Sequence, residues 1–401
     1  MERGGQVIHN TVGSFFCEQN GREIYKSSGY KEISIIYGAV ENSYRDTAAL
    51  LNRVRHQEQA TPVRTVADNT EREGKKLFDF IGEKAKAVLA ANGFTEEGNP
   101  KEEIKEYKVK KVRSISKEEV EGAILDCNVS EEERKEIRKN PICYESPAET
   151  VNVCIDEVIV KHQKEERKQN DNEDAQSKEK EYVHNSVAHI QSEDGSYKIN
   201  GDSILFTLRV IIAFFLSNKL LNKRIQFFVD GHKILQAAIV NAFSWFGNIG
   251  IILDWYHLED KCKRELSLAM KGRQIRNDVL SRLRYLLWYG MIDKAIEYLK
   301  SLNESLIKNK DAIEHLVNYI ERNRSYIPCY EIRKKLGLCN SSNRGEKSND
   351  LIVSDRQKHN GMSWSEGGSV ALATLTSLKI NKEHKKWFQE GDIEFKLAAN
   401  F

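Results

Sequence analysis

The chain has 401 residues and a formal net charge of only +2, with 62 Lys and Arg against 60 Asp and Glu. That length allows two or three domains and a sizeable core. The balanced charge neither supports nor excludes nucleic-acid binding, for which a local basic face is what matters.

The first residues, MERGGQVIHN, lack the apolar core of a signal peptide. The most apolar run, Ile204 to Leu216, is interrupted by Arg209 and falls short of the ~18 residues that span a bilayer. The seven cysteines, at 17, 127, 143, 154, 262, 329 and 339, form no CxxC pair. Neither a zinc site nor a disulfide framework is indicated. The expectation is a protein of a reduced cytoplasmic compartment with no membrane partner.

From Tyr30 the pattern YKEISIIYGAVENSYRDTAALLNRVRHQ is helical. Ile33, Ile36 and Tyr37 share a helical face, Gly38 breaks the run, and Asn42 or Ser43 caps a second helix with Ala48, Leu51 and Val54 inside. Two helices joined at a glycine form a helix-turn-helix pattern. Its second helix carries Arg45, Asn52, Arg53 and Arg55, donors suited to phosphates and base edges. An ordinary helical hairpin with a solvated basic face reads the same way. Thr61-Pro62 starts a further helix with Pro at its first position, and Glu71 to Asn92 reads as a charged amphipathic helix. Gly93 to Lys108 is a linker by composition. Ser116 with Glu119, and Ser130 with Glu133, are two capping-box signatures. Pro141 and Pro147 mark a boundary.

Val151 to Lys161, VNVCIDEVIVK, alternates and is β-branched, so it reads as a strand with Asp156 in its middle. Lys161 to Glu181 is a charged loop. Tyr182 to Ile190 and Ser196 to Ile199 read as two more strands, and Ser203 to Leu221 as a buried helix. Then comes RIQFFVDGHKILQAAIVNAFSWFGNIGIILDWYH, Arg224 to His257, a strand–turn–helix–strand unit. Ile234, Ala237, Ala238, Val240 and Ala242 suit a short buried helix. Asp230 and Asp254 end the two strands, at the sheet edge where open α/β sheets bind ligands. After His257 the spacing is helical for about eighty residues, with Leu283, Leu286, Leu287, Ile292, Ala295, Ile296 and Leu299 on apolar faces. Glu346 opens a late helix; Gly361, Gly367 and Gly368 interrupt it, and Val370 to Leu378 starts the last one.

The order of strands and helices matches the ribonuclease H-like fold, in which the first and fourth strands are neighbours. Asp156 and Asp230 would then lie side by side, with Glu346 brought in by a helix packed on that edge. Clustered carboxylates repel unless a cation bridges them, and hard oxygen ligands select Mg²⁺ or Mn²⁺. Two such ions about 4 Å apart activate a hydroxyl and stabilise a leaving oxygen at a phosphodiester. Blander readings stand beside this. Asp-Gly after a strand is an ordinary turn, and a Glu at a helix start is a dipole partner. Asp156 inside an apolar strand is harder to dismiss, because burying an unpaired charge is costly. Asp254 is the rival third acid. His257 reads as a soft-metal ligand or, more simply, as a hydrogen-bonded core residue.

Several blocks resemble the DDE transposases of bacterial insertion sequences. They are the N-terminal block with TPVRTVADNTEREG after it, CIDEVIVKHQKEER, FFVDGHKI followed by ILDWYHLEDKC, and GEKSNDLIVSDRQKHNGMSWSEGG. The resemblance implies Asp156, Asp230 and Glu346 as the carboxylate triad, separated by 74 and 116 residues, and two Mg²⁺ or Mn²⁺ ions. The DWYH segment is a family landmark outside the triad, which makes Asp254 and His257 supporting residues. Two departures are His232-Lys233 after the Asp-Gly turn and Asn343-Arg344-Gly345 before Glu346. The resemblance further implies binding of the element's terminal inverted repeats, cleavage to expose 3′-hydroxyls, and their in-line attack on target DNA. Lys347, Arg356, Lys358 and His359 would line that DNA. Trp364 would stack on an unpaired base, although by its own pattern it reads as a core aromatic.

The expected organisation is α/β: a helix-turn-helix-like DNA-binding region at 1–60 and a helical region with linker at 61–147. A ribonuclease H-like core at 148–260, a helical insertion at 261–339 and a C-terminal catalytic helix and tail at 340–401 follow. The expected partners are double-stranded DNA and further copies of the chain on paired ends, with the protein associated with the nucleoid. A structure-specific nuclease or resolvase of the same fold, and a decayed or domesticated transposase that only binds DNA, are the alternatives.

Overall fold

The computed structural model describes residues 27–54, 56, 58, 60–101, 112–140, 144–163, 182–358 and 362–398, the side chains of 343 and 344 excepted. The expectations for Arg55, His359, Gly361, the first twenty residues and most of the charged loop fall outside that set.

Five strands form one mixed sheet: β1 Thr150–Lys161, β2 Tyr182–Ser192, β3 Gly195–Gly201, β4 Arg224–Val229 and β5 Ile249–Leu253. Their spatial order is β3-β2-β1-β4-β5. β1 pairs antiparallel with β2 and parallel with β4, β2 pairs antiparallel with β3, and β4 pairs parallel with β5. The first and fourth strands are therefore neighbours. In β4, Ile225, Phe227 and Val229 enter one hydrophobic core and Phe228 enters another, the period-2 alternation of a strand buried on both faces.

The first core joins the sheet to helices from both ends of the chain. α1, Ser28–Glu32, runs into a π-helical stretch, Ile33–Ala39. α2 is Tyr44–Val54 and α3 is a single helix, Val63–Ala91, which merges two helices expected separately. Pro62 is its N-cap residue rather than its first helical one. The π-helical turn rotates the face expected for Ile33, Ile36 and Tyr37. Ile35 and Ile36 are buried, whereas Ile33 is 58% and Tyr37 50% exposed. Gly38 does not end the helix. A Cβ there would lie 2.5 Å from the Thr47 side chain, so its missing side chain lets α2 approach. Ala48 and Leu51 are buried as expected, but Val54 lies at the helix end and is 69% exposed.

α6, Ile204–Ser217, and α7, Lys233–Ala242, also belong to this core. In α7 the buried apolar residues are Leu235 and Ile239, not Ile234 and Val240. Leu235, Ile239 and Phe243 repeat every four residues and set the inward stripe. α14, Glu366–Ile380, packs on α3 and on β2 and β3. Gly367 and Gly368 lie in its first turn rather than interrupting a helix, and the Gly368 N–H is capped by Ser365 Oγ at 3.1 Å. α15, His384–Glu390, follows.

The second core is helical. α4, Lys117–Leu125, and α5, Glu131–Arg138, each start at a complete capping box. They pack with α8 Trp255–Ala269, α9 Arg273–Trp288, α10 Ile292–Lys300, α11 Lys310–Arg322 and α12 Tyr330–Lys335 against Phe228, Ile252 and Leu253 of the sheet. The apolar residues expected on these helices, from Leu283 to Leu299, are all buried. Among the described residues no helix is long and apolar enough to cross a membrane.

Gly74 marks the crossing of α3 and α14, where a Cβ would lie 2.4 Å from the Ala371 carbonyl oxygen. Backbone cannot yield as a side-chain tip can. Gly74→Ala should therefore lower unfolding stability by about 1–3 kcal/mol, despite the ~1 kcal/mol that alanine gains over glycine in a helix. Chemical denaturation measures the difference, and an unchanged or raised midpoint would contradict this packing.

Candidate functional site

The parallel register of β1 and β4 pairs Cys154 with Phe228. Asp156 and Asp230 each lie two residues further on, the first still inside β1 and the second just past the end of β4, so they stand side by side and on the same face. A cleft there is lined by Asp156, Asp230, His257, Gly345, Glu346 and Asn349, with Cys154, Phe228 and Ser342 among its walls. The three acids expected from the sequence thus border one cleft.

Asp156 and Asp230 each accept a nearby backbone N–H. Asp156 Oδ1 accepts the Glu157 N–H at 2.8 Å, and Asp156 Oδ2 accepts from Asn349 Nδ2 at 2.7 Å. Asp230 Oδ1 accepts the His232 N–H at 2.8 Å, closing a tight turn in which Gly231 has φ +88°. A Cβ at Gly231 would lie 2.6 Å from the Tyr319 hydroxyl. That hydroxyl donates to the Asp230 carbonyl at 3.0 Å, and Arg322 donates to the Gly231 carbonyl at 3.2 Å. The helical second core therefore clamps the Asp230 turn through α11.

Glu346 sits in the first turn of α13, Asn343–Asn349, which continues through a π-helical turn, Asp350–Ser354, to Gln357. Gly345 allows this helix to lie on β1, because a Cβ there would come within 2.6 Å of Cys154 Cβ. Glu346 Oε1 is buried with no hydrogen-bond donor and lies 3.4 Å from His257 Nε2.

Asp254 is fully buried at the end of β5. Its Oδ1 accepts the His257 N–H at 3.1 Å as the N-cap of α8, and its Oδ2 accepts the Ser342 N–H just before α13. One carboxylate thus ties together the helix starts that carry His257 and Glu346. Arg333, also buried, reinforces the connection by donating to the Cys339 carbonyl at 2.7 and 3.1 Å.

Among the described residues, one set of three has ligand atoms that all lie within 4.8 Å of one another: Asp254, His257 and Glu346. Asp156 and Asp230 share the cleft but stand outside that set. The sequence offered His257, three residues after Asp254, as a soft-metal ligand or a hydrogen-bonded core residue, and the structure sets it beside Glu346 in the first turn that Asp254 caps.

The electrostatics are those of crowded acids. Burial pushes the Asp156 carboxyl up, and neighbouring Asp230 adds to the shift, against His257, the Glu157 N–H and Lys358. Burial also pushes Glu346 up, with Asp254, Asp156 and Asp350 adding to it and His257 opposing.

The expected DNA-contacting residues divide. Arg45, Arg53, Lys347 and Lys358 are exposed. Asn52 is not free to read bases. Its side chain clasps the Thr61 backbone, accepting from the N–H at 2.6 Å and donating to the carbonyl at 3.2 Å. Arg356 is buried and lies over the rings of Tyr44 and Trp364, at 5.3 and 5.5 Å from their centroids. Trp364 is 6% exposed and donates through Nε1 to the Gln357 carbonyl. It is a core aromatic, and its ring has no open face for a base.

Folding raises the Asp156 pKa, so the folded chain holds that proton more tightly than the unfolded one. The carboxyl carries no penalty at low pH, and the penalty grows as pH rises through the folded-state value. Asp156→Asn should therefore be more stable than the wild type at pH 7 in EDTA. The gap should close below about pH 4, the ordinary range for Asp. Thermal unfolding midpoints across pH measure it, and a gap independent of pH would contradict the burial argument.

No protein-family model matches the chain, and no curated protein matches it. Among solved structures it is similar to the "Drosophila P element transposase strand transfer complex" with a TM-score of 0.25 and 10% identity, over 99% of this chain and 88% of that one. A likeness of that degree carries no argument about this chain.

Proposed function

We propose that the chain is a DDE-type transposase, a metal-dependent enzyme that cuts DNA at an element's ends and joins the exposed 3′-hydroxyls to target DNA. The observation that carries this reading is the meeting of Asp156, Asp230 and Glu346 at one cleft, just past the last paired residues of β1 and β4. The strand order and directions are those of the ribonuclease H-like fold, and the motif blocks resemble transposases of bacterial insertion sequences.

The donor set suits a divalent cation. Three carboxylates border the cleft, burial and neighbouring carboxylates disfavour the charged forms of Asp156 and Glu346, and Glu346 Oε1 is buried without a donor. Positive charge placed among them relieves all three conditions. Asp156, Asp230 and Glu346 would hold Mg²⁺ or Mn²⁺, which when bound supplies a Lewis acid for the attacking and leaving oxygens of a phosphodiester. The chain's own groups do the rest. Asn349 fixes the Asp156 carboxylate, and the His232 N–H fixes Asp230. Asp254 holds the Glu346 helix in place through Ser342. Exposed Lys347 and Lys358 flank the site and are suited to backbone phosphates. The helical pair α1–α2, with Arg45 and Arg53 outward, is the proposed region for recognising the element's ends, and assembly on paired ends brings two copies together.

The test is a strand-transfer assay with paired element ends, a target plasmid and Mg²⁺ or Mn²⁺. Joined products should form, and Asp230→Ala or Glu346→Gln should reduce them by about 100-fold or more, as loss of a group that stabilises transition-state charge does. Cleavage without joining would make the chain a nuclease or resolvase. Binding without cleavage would make it a DNA-binding derivative.

A further inference from the structure

We propose that His257 Nε2 and Glu346 Oε1 are ligands of one and the same divalent cation, in a centre of mixed nitrogen and oxygen donors that takes a first-row transition ion in preference to Mg²⁺. This rests on the reading of Glu346 as a metal-binding carboxylate and adds a ligand outside the three acids.

The two atoms lie 3.4 Å apart without forming a hydrogen bond, and the glutamate oxygen is buried with no other donor. Ligand atoms about 2.0–2.2 Å from a common ion are separated by a similar span. A simple ion pair would bring the imidazole N–H onto the oxygen; here the oxygen is left unsatisfied. The set that brings three possible ligand atoms within 4.8 Å of one another contains His257 and Glu346.

Asp254, the third member, acts from behind. Both of its oxygens accept backbone N–H groups, one from His257 itself and one from Ser342, four residues before Glu346. A buried carboxylate so held adds negative charge beside the ligands and fixes the start of each ligand-bearing helix. The Tyr256 ring packs against the imidazole at 5.6 Å, nearly perpendicular to it, and limits its rotation. Metal-binding histidines gain affinity when neighbouring groups orient them in this way.

The donor chemistry decides the metal. Mg²⁺ demands oxygen ligands and keeps much of its water. An imidazole nitrogen favours first-row transition ions, and Mn²⁺ is the weakest and most conveniently observed of them.

The experiment uses the full chain, stripped with EDTA and loaded with Mn²⁺. Pulsed electron paramagnetic resonance should show nitrogen hyperfine coupling from one directly bound imidazole. Calorimetry should show Mn²⁺ binding weakened about tenfold or more in His257→Ala, with Mg²⁺ binding changed by less than about twofold. Melting in EDTA checks that the variant is folded. Absence of nitrogen coupling in the Mn²⁺-loaded wild type overturns the proposal whether or not the variant folds. So does wild-type Mn²⁺ affinity in a folded His257→Ala. DNA joining without nitrogen coupling removes this centre and leaves the transposase reading. Nitrogen coupling without cleavage or joining of DNA leaves the centre and removes that reading.

Discussion

The cleft depends on one buried carboxylate. Asp254 has no exposed surface, and an ionised group in that position is tolerable only when its oxygens are hydrogen-bonded. Its partners come from two places far apart in the chain, the first turn of α8 and the residue before α13. Satisfying Asp254 therefore draws the 339–342 segment onto the end of β5. Asn340 shares in this, accepting from the Trp255 N–H and donating to the Tyr330 carbonyl. Glu346 arrives at the cleft because the segment before it has nowhere else to go.

The two cores give this latch rigid ends. β4 contributes Phe227 to one and Phe228 to the other, so the strand that ends at Asp230 is gripped from both faces. The helical second core also reaches the cleft directly. Tyr319 and Arg322 bind the carbonyls of Asp230 and Gly231, and Gly231 is required because a side chain there would strike the Tyr319 ring. α11 thus helps shape the turn that presents Asp230. On the other side, α3 and α14 close tightly across Gly74, which binds the N-terminal helices to the same body as the sheet.

Much of this was legible in residue pattern. β1 could be read because VNVCIDEVIVK alternates and is β-branched, and α4 and α5 because their capping boxes are complete within four residues. Other elements misled for identifiable reasons. The face of α1 was misplaced because a π-helical turn shifts the angle between successive side chains, which a 3.6-residue period does not anticipate. In α7 the alanines suggested the buried side, whereas the larger Leu235 and Ile239 took it. Gly367 and Gly368 looked like breakers but lie in a capped first turn. Trp364 and Arg356 sit in a stretch of polar, ligand-like residues, yet Trp364 meets the Tyr44 ring edge to face and Arg356 lies over it, more than three hundred residues away.

By itself, the sequence determined the strands and most helices, and it placed an acid in β1, at the end of β4 and in the first turn of α13. These are local properties: period, branching, turn and cap chemistry act over a few residues. Tertiary structure alone decided which groups meet. Parallel pairing of β1 with β4 put Asp156 beside Asp230. The two hydrogen bonds of Asp254 brought His257 to within 3.4 Å of Glu346. Burial enclosed Trp364 and Arg356, and the Thr61 backbone occupied the Asn52 side chain. Contacts between residues so far apart in the chain depend on how whole elements pack, and no local pattern encodes them.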